Sequence, residues 1–391
     1  MARGSIEQRS PGTWSIRIEL SPDLNSGKRR QKRMTFRGTK REAEKRLSEL
    51  LHQLDTGNFV NPGKMTVGDF LRQWLRDYVE AGVRATTREG YRIIVEKHLI
   101  PGIDNITLSQ LQPSNLQAYY AKALREGRCD GKGGIAPRTV KHHHRVLSEA
   151  LNHAMRWGLV GRNVAQSVDP PRPVKKEMHI LDSDGLRMLL ETAQGTMYYP
   201  AIHLDVFSGL RRSEVLGLRW RDLDLEGGAL TVNQVLHVLP GGRVILQEPK
   251  TDRSRRTVTL GPSAVLALKA HRERVEADRA ILGNPVREDD LVFAKPTGGP
   301  MLPNTLTHAF KRIAQKAGLN VRLHDMRHSH VSMLIKQGIH DKAIADRVGH
   351  SSISTTMDIY GHLFSETQRE AAIKFELGLA LPTLEEVKQA S

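Results

Sequence analysis

Cysteine is almost absent: Cys129, in the loop-like stretch Cys129-Asp130-Gly131, is the only one in 391 residues. One thiol closes no internal disulfide and builds no cysteine metal cage, so a reducing cytoplasm is expected. Long apolar runs are missing too. No stretch approaches the roughly 20 residues that span a bilayer, and the N-terminus lacks a signal-peptide hydrophobic region, so no membrane partner is expected. Acidic residues are outnumbered, 43 Asp+Glu against 59 Lys+Arg, which leaves a net charge of +16. Aromatics are sparse, but a hydrophobic content of 39% still suffices for globular packing. The length exceeds one ordinary core and suggests two or three domains.

The positive excess is uneven. Residues 1–60 hold 13 Lys+Arg against 7 Asp+Glu, and residues 61–175 hold 18 against 10. Only +2 is left for residues 176–391. Two pieces that grip a phosphate backbone and a third that does chemistry would have this distribution. A generally basic soluble protein would have the same total.

Residues 1–60 read as a small sheet module. "GSIEQRS", a Pro11-Gly12 turn, the alternating "TWSIRIEL" and the basic "KRRQKRMTFRG" are three strand candidates. Thr39 then caps an amphipathic helix with Ala43, Leu47, Leu50 and Leu51 on one side. A basic three-stranded sheet can lie in a major groove, which makes Arg30, Lys32 and Arg33 candidate DNA contacts. Solvated edge-strand charges that guard against aggregation explain them equally well.

After a break at Asn61-Pro62-Gly63, four helical stretches follow: "TVGDFLRQWLRDYVEAG", "ATTREGYRIIVEKHLIPGI", "QPSNLQAYYAKAL" and "APRTVKHHHRVLSEALNHAMRWGL". Their three- and four-residue apolar spacing predicts a compact bundle over residues 65–168. The run from Lys141 to Arg145 contains three histidines, but consecutive residues fan around a helix and do not converge on one metal. Lys141, His143 and Arg145 are therefore candidate backbone contacts, with a solvated face as the alternative. Asp169-Pro170-Pro171-Arg172-Pro173 cannot continue a helix and reads as a hinge to a third domain, residues 175–391.

In that domain Gly209 ends one helix and Arg211 opens the next, with Glu214 one turn on to hold its guanidinium. Strand text follows: "ALTVNQVLHVL", "RVILQEP" and, after a turn at Lys250, "RRTVTL". Two long helices lead to the best-patterned stretch of all, Leu323 to His362. His324 and Arg327 project from one helical face, an apolar comb of Val331, Leu334 and Ile335 follows, and Gly338 stops the helix. A second helix runs from Asp341 to Val348 and ends at Gly349. A third, opening beyond His350, would carry Tyr360. The fold class expected is α+β and mainly α.

A tyrosine among cations is a particular chemical object. Its phenol is a poor nucleophile near neutral pH unless positive neighbours favour the phenolate. A phosphodiester under attack gathers charge on its non-bridging oxygens, which fixed Arg and His donors stabilise. Together these residue types suit attack on a nucleic-acid backbone with no metal or other cofactor. Taken singly, each is more often structural, Tyr360 a core aromatic and Arg327 a solvated helix charge; it is their joint spacing that points to chemistry. His324-Asp325-Met326-Arg327-His328 also mimics the zinc-peptidase H-E-x-x-H, with a shortened acid that alters the reach of a general base.

The residues "SGLRRSE", "PKTDRSRR", "LHDMRHS", "VGHSS" and "TMDIYGH" resemble the tyrosine recombinases, or phage-type integrases. Six positions of that pattern are filled in order: Arg211, Lys250, His324, Arg327, His350 and Tyr360. Ser208 stands where the family often has Thr. The resemblance implies an arm-type DNA-binding module, a helical core-binding domain and a catalytic domain. It implies that Tyr360 attacks the scissile phosphate, that Arg211 and Arg327 clamp its oxygens, and that Lys250 protonates the leaving 5′-oxygen. His324 and His350 would support the transition state, with Glu214 orienting Arg211. The expected partners are double-stranded DNA, at core-type and arm-type sites, and further copies of the chain in a tetramer. An excisionase and a DNA-bending host protein are further expected partners. From its own pattern, a helical stretch with Ala371, Ile373, Phe375 and Leu377 on one side, the segment from Ser365 to Leu379 is expected to dock on a neighbouring protomer, with packing inside its own chain as the alternative. A type IB topoisomerase, a DNA-binding regulator without catalysis and a metal-dependent nuclease or peptidase are the alternatives.

Overall fold

The structure is a computed structural model, and it describes residues 3–20, 30–55, 64–174, 179–249 and 254–349, with 373, 375, 376 and 379. The chain divides into two compact units, residues 1–175 and 176–391. The sheet module and the helical bundle expected as separate domains both fall in the first unit, each with its own apolar core.

The sheet module is an antiparallel meander of β1 (Gly4–Ser10), β2 (Thr13–Leu20) and β3 (Arg30–Arg37), covered by α1 (Lys40–Asp55). Alternation turns Ile16 and Ile18 onto the helix side, where they meet Leu50. Thr39 and Glu42 cap α1 reciprocally: the Glu42 amide donates to the Thr39 hydroxyl, and the Thr39 amide donates to the Glu42 carboxylate. Lys32 shares the covered face with Met34 and Phe36, while Arg33 lies on the open face opposite Arg17. The three candidate contacts in β3 therefore do not form one surface. The Arg30 side chain lies outside the described residues.

In the bundle, α2 (Val67–Trp74) runs through a π-helical turn, Leu75–Val79, into α3 (Glu80–Gly82). Similarly, α4 (Ala85–Ile94) passes through Val95–Leu99 into α5 (Ile100–Ile103). With α6 (Pro113–Glu126) and α7 (Pro137–Arg156) they bury Phe70, Trp74, Leu99, Leu116, Tyr120 and Leu147. His143 belongs to this interior. It is 0% exposed and its Nδ1 lies 2.9 Å from the Tyr119 hydroxyl. It is not available to a DNA backbone, because α7 turns it inward while Lys141 and Arg145 stay outside. Residues 169–174 are irregular, as three prolines require.

The second unit opens with α8 (Ser183–Ala193) and α9 (Tyr199–Ser208), followed by the single turn α10 (Arg212–Val215). A small antiparallel sheet joins β4 (Leu223–Asp224), β5 (Ala229–Thr231) and β8 (Thr257–Thr259). A separate hairpin pairs β6 (Val235–Val238) with β7 (Val244–Gln247). The sequence reads 229–239 as one strand, but the chain changes partner at residues 233–234. There Asn233 donates to Asp222 and Gln234 donates to the Gly217 carbonyl, in place of ladder pairing. The helices α11 (Pro262–Ile281), α12 (Pro303–Lys316), α13 (Leu323–Lys336) and α14 (Asp341–Val348) complete the unit. Val331 and Ile335 of α13 meet Ile344 and Val348 of α14, with Leu334 alongside, so the apolar comb fastens these two helices together. Among the described residues no helix is long and apolar enough to cross a membrane.

Candidate active site

Arg211 is placed by a sharp change of direction. Gly209, at φ +63, ends α9 in the left-handed region, and a Cβ there would stand 2.6 Å from the His330 ring. Arg211 then precedes α10 as its N-cap, and Glu214 reaches back to it. One Glu214 oxygen accepts the Arg211 backbone amide at 2.8 Å, and the other accepts its guanidinium at 2.7 Å. Glu214 is only 2% exposed. Burial pushes its carboxyl up, but hydrogen bonds and charge from Arg256 and Arg211 outweigh that and hold it below the usual range.

Arg327 sits on the first turns of α13, 4% exposed. Its two terminal nitrogens donate to the carbonyls of Gly209 and Val348, both at 2.7 Å. Arg211 donates to the next carbonyl, Gly349, at 3.1 Å. The two arginines that are 116 positions apart in sequence thus converge on the last turn of α14. His324 and Arg211 line one open cleft of ≈ 810 Å³, with Arg212, His237, Asn304 and Thr307 on its walls. The protein around the His324 ring, and Arg327 beside it, hold its pKa below the ordinary histidine value. The His324 imidazole and the Arg211 guanidinium at one opening, with the Arg327 guanidinium held behind them on the Gly209 and Val348 carbonyls, form a donor set suited to a phosphodiester.

Asp325 does not act as a general base. Its two oxygens accept from Arg322 at 2.7, 2.8 and 3.1 Å, which closes a capping box at the start of α13. The peptidase-like spacing is therefore a helix cap. Among the described residues no group of three or more His, Cys, Asp or Glu is placed to hold a metal ion.

Lys250, His350 and Tyr360 lie outside the described residues, as does nearly all of the segment 365–379. The chain is described up to Pro249, from Ser254, and up to Gly349, immediately before His350.

Two arginines that sequence reading passed over complete the surroundings. Arg256 donates to both oxygens of Glu214, at 3.0 and 3.3 Å, and from Nε to the Arg347 carbonyl at 2.7 Å. Arg347 donates to His330 Nε2 at 3.1 Å and to the Thr259 and Phe207 carbonyls. His330 Nδ1–H donates to the Val206 carbonyl at 3.0 Å, so Nε2 is free of a proton and accepts. Burial first, and then Arg347, push His330 down to about 4. Alternation carried the signal for Arg256: with Val258 buried and Thr257 and Thr259 exposed, residue 256 faces inward. On the sheet module, Arg17 and Arg37 share the open face with Arg33 by the same parity.

The phage integrase family matches residues 179–367, and the phage integrase N-terminal SAM-like domain matches residues 66–124. A "Tyrosine recombinase XerC-like" protein of Caldanaerobacter subterraneus subsp. tengcongensis is 27% identical over 355 residues, covering 85% of this chain and 88% of the relative. An "Integrase" of Streptomyces ambofaciens is 29% identical, covering 89% and 88%. Among solved structures, the Tn1549 transposon integrase in complex with transposon right end DNA has a TM-score of 0.66 at 21% identity, over 81% of this chain and all of that one. A lambda integrase tetramer bound to a Holliday junction has a TM-score of 0.53 at 18% identity, covering 89% and 95%. These two likenesses are of fold. With the family match across both units and the relatives along most of the length, the chain belongs to the tyrosine recombinases of the phage integrase family, enzymes that cut and rejoin DNA.

Proposed function

We propose that this recombinase integrates or excises a mobile element, such as a prophage, through a covalent bond between Tyr360 and a DNA 3′-phosphate. The phenolate oxygen of Tyr360 attacks phosphorus, the bond to the 5′-oxygen breaks, and Lys250 supplies the proton that leaves with it. Arg211 and Arg327 stabilise charge on the non-bridging oxygens, assisted by His324 and His350. Attack by a different 5′-hydroxyl reverses the step onto a new strand, so the energy of the cut bond is kept in the phosphotyrosine. Four copies acting on two paired sites, in the cytoplasm, complete the exchange, with an excisionase and a DNA-bending protein setting its direction. Lys141 and Arg145 of the bundle and Arg33 of the open sheet face hold core-type and arm-type DNA.

The observation that carries this reading is the convergence of Arg211 and Arg327 beside the cleft that His324 lines. A pool of random-sequence nicked duplexes, incubated with the protein in EDTA and then denatured, tests it. Covalent protein–DNA adducts are expected from the wild type and none from Tyr360→Phe. Cutting that requires added metal and leaves no adduct would exclude the tyrosine route. Relaxation of supercoiled DNA with no pairing of two selected sites would indicate a topoisomerase instead.

A further inference from the structure

We propose that Arg256 is a positioning residue for strand cleavage, acting through Glu214 on Arg211 and through the Arg347 carbonyl on the chain that leads to His350 and Tyr360. The proposal rests on the covalent tyrosine reading, and the test below separates the two.

Arg256 joins three stretches that sequence keeps far apart. Its side chain is only 6% exposed. One edge of the guanidinium faces Glu214, with Nη2 to Oε2 at 3.0 Å and Nη1 to Oε1 at 3.3 Å. Nε donates to the Arg347 carbonyl at 2.7 Å, and Nη1 also donates to the Ser254 carbonyl at 3.2 Å. Such a planar fork fixes direction as well as distance, which an ammonium cannot do.

Glu214 is the bridge between two cations. The carboxylate accepts Arg211 and Arg256 on both oxygens and is closed off from water. Without Arg256, half of its hydrogen bonds vanish and the remaining charge is buried beside one guanidinium alone. Arg211 then loses the fixed carboxylate geometry that aims it at the cleft.

The second branch runs to the end of α14. Three consecutive carbonyls, those of Arg347, Val348 and Gly349, accept from Arg256, Arg327 and Arg211 in turn. Gly349 then leaves the helix at φ +67, and a Cβ on it would stand 2.8 Å from Arg256 Nη1. Arg256 is thus packed against the backbone one residue before His350. The guanidinium that holds the phosphate clamp also sets the exit point of the segment carrying the nucleophile. Arg256 itself lines no part of the cleft wall formed by Arg211 and His324.

The test uses full-length protein and a nicked duplex selected, from random sequences, for covalent attachment to the wild type. Arg256→Lys and Arg256→Gln are expected to lower the thermal midpoint yet stay folded at the assay temperature, and to slow adduct formation about 10²-fold while duplex affinity hardly changes, the signature of misplaced reacting groups. Glu214→Gln combined with Arg256→Gln is expected to cost no more than the worse single change, because the two act as one unit. A duplex with sulfur at the 5′-bridging position, whose thiolate leaves without a proton, is expected to restore Lys250→Met but not Arg256→Lys. Wild-type-like cleavage by the Arg256 variants, additive losses, rescue by sulfur, or equal losses of affinity and rate would each overturn the proposal. Failure of both variants to fold would overturn it too, by assigning Arg256 to the core. A wild type that forms no adduct would instead overturn the tyrosine reading itself.

Discussion

Arg327 donates to the Val348 carbonyl at 2.7 Å, although 21 residues and a helix-to-helix turn separate them. The bond reaches from the start of α13 to the end of α14, so the apolar contacts of Val331 and Ile335 with Ile344 and Val348 keep a polar geometry in register. Replacing Arg327 with Lys keeps the charge and loses the fork. Adduct formation should fall about 10²-fold or more, as when one oriented donor is removed from an oxyanion site, while duplex binding persists. Quenched single-turnover cleavage measures it.

Glu214→Gln should destabilise the second unit by about 3–5 kcal/mol, since it leaves the buried Arg256 guanidinium facing an amide, with the more exposed Arg211 losing its partner too. The pH sign follows from the depressed carboxyl. Because the folded pKa lies below the ordinary glutamate value of 4.5, its stabilisation is full above that value and is lost as pH falls through the lower folded one. Urea midpoints measured from pH 6 to pH 3 should drop less steeply for Glu214→Gln than for the wild type.

Three histidines give an earlier acid response. His143, His328 and His330 are each pushed down to about 4, mainly by burial, against an ordinary value of 6.5. The unfolded chain therefore takes up protons that the folded chain refuses between about pH 6.5 and 4. Stability should fall with pH across that window, at about 1.4 kcal/mol per pH unit for each proton of difference. An unfolding midpoint that stays level from pH 7 to pH 5 would contradict this.

Within α7, neighbouring residues should separate cleanly. His143→Ala removes a buried ring and its Tyr119 partner, and should cost about 1–3 kcal/mol with the salt dependence of DNA binding unchanged. Lys141→Ala and Arg145→Ala should leave stability alone and lower the slope of log affinity against log salt by about one each. Titrations at several salt concentrations, beside melting curves, distinguish the two classes.

Gly349→Ala should be costly beyond its size. The left-handed φ disfavours any Cβ by about 1–2 kcal/mol, and the Arg256 guanidinium in its path is fixed by Glu214. Both the thermal midpoint and the cleavage rate should drop.

Local patterning made the α13–α14 pair and the Gly209-Arg211-Glu214 turn readable in the sequence. Apolar spacing, a left-handed glycine and a capping acid are short-range signals, and each acts within about one helical turn. What escaped depends on long-range or facial information. His143 lies in a charged run, yet α7 is amphipathic and its inward stripe passes through that position. Lys32 and Arg33 are adjacent, and the strand's period of two sends them to opposite faces. The break of 229–239 into two strands comes from Asp222 and Gly217, earlier in the chain. Arg256 was hidden in a basic cluster, where its inward parity with Val258 was the only mark.

Because Glu214, Arg256 and the Arg347 carbonyl come from separate blocks of sequence, they behave as a single inherited unit. A hybrid recombinase spliced between residues 214 and 256, or between 256 and 347, would unite halves whose salt bridges were tuned for other partners. Domain-swapping to redirect target choice therefore has a safer seam near 175, where the prolines already part the chain.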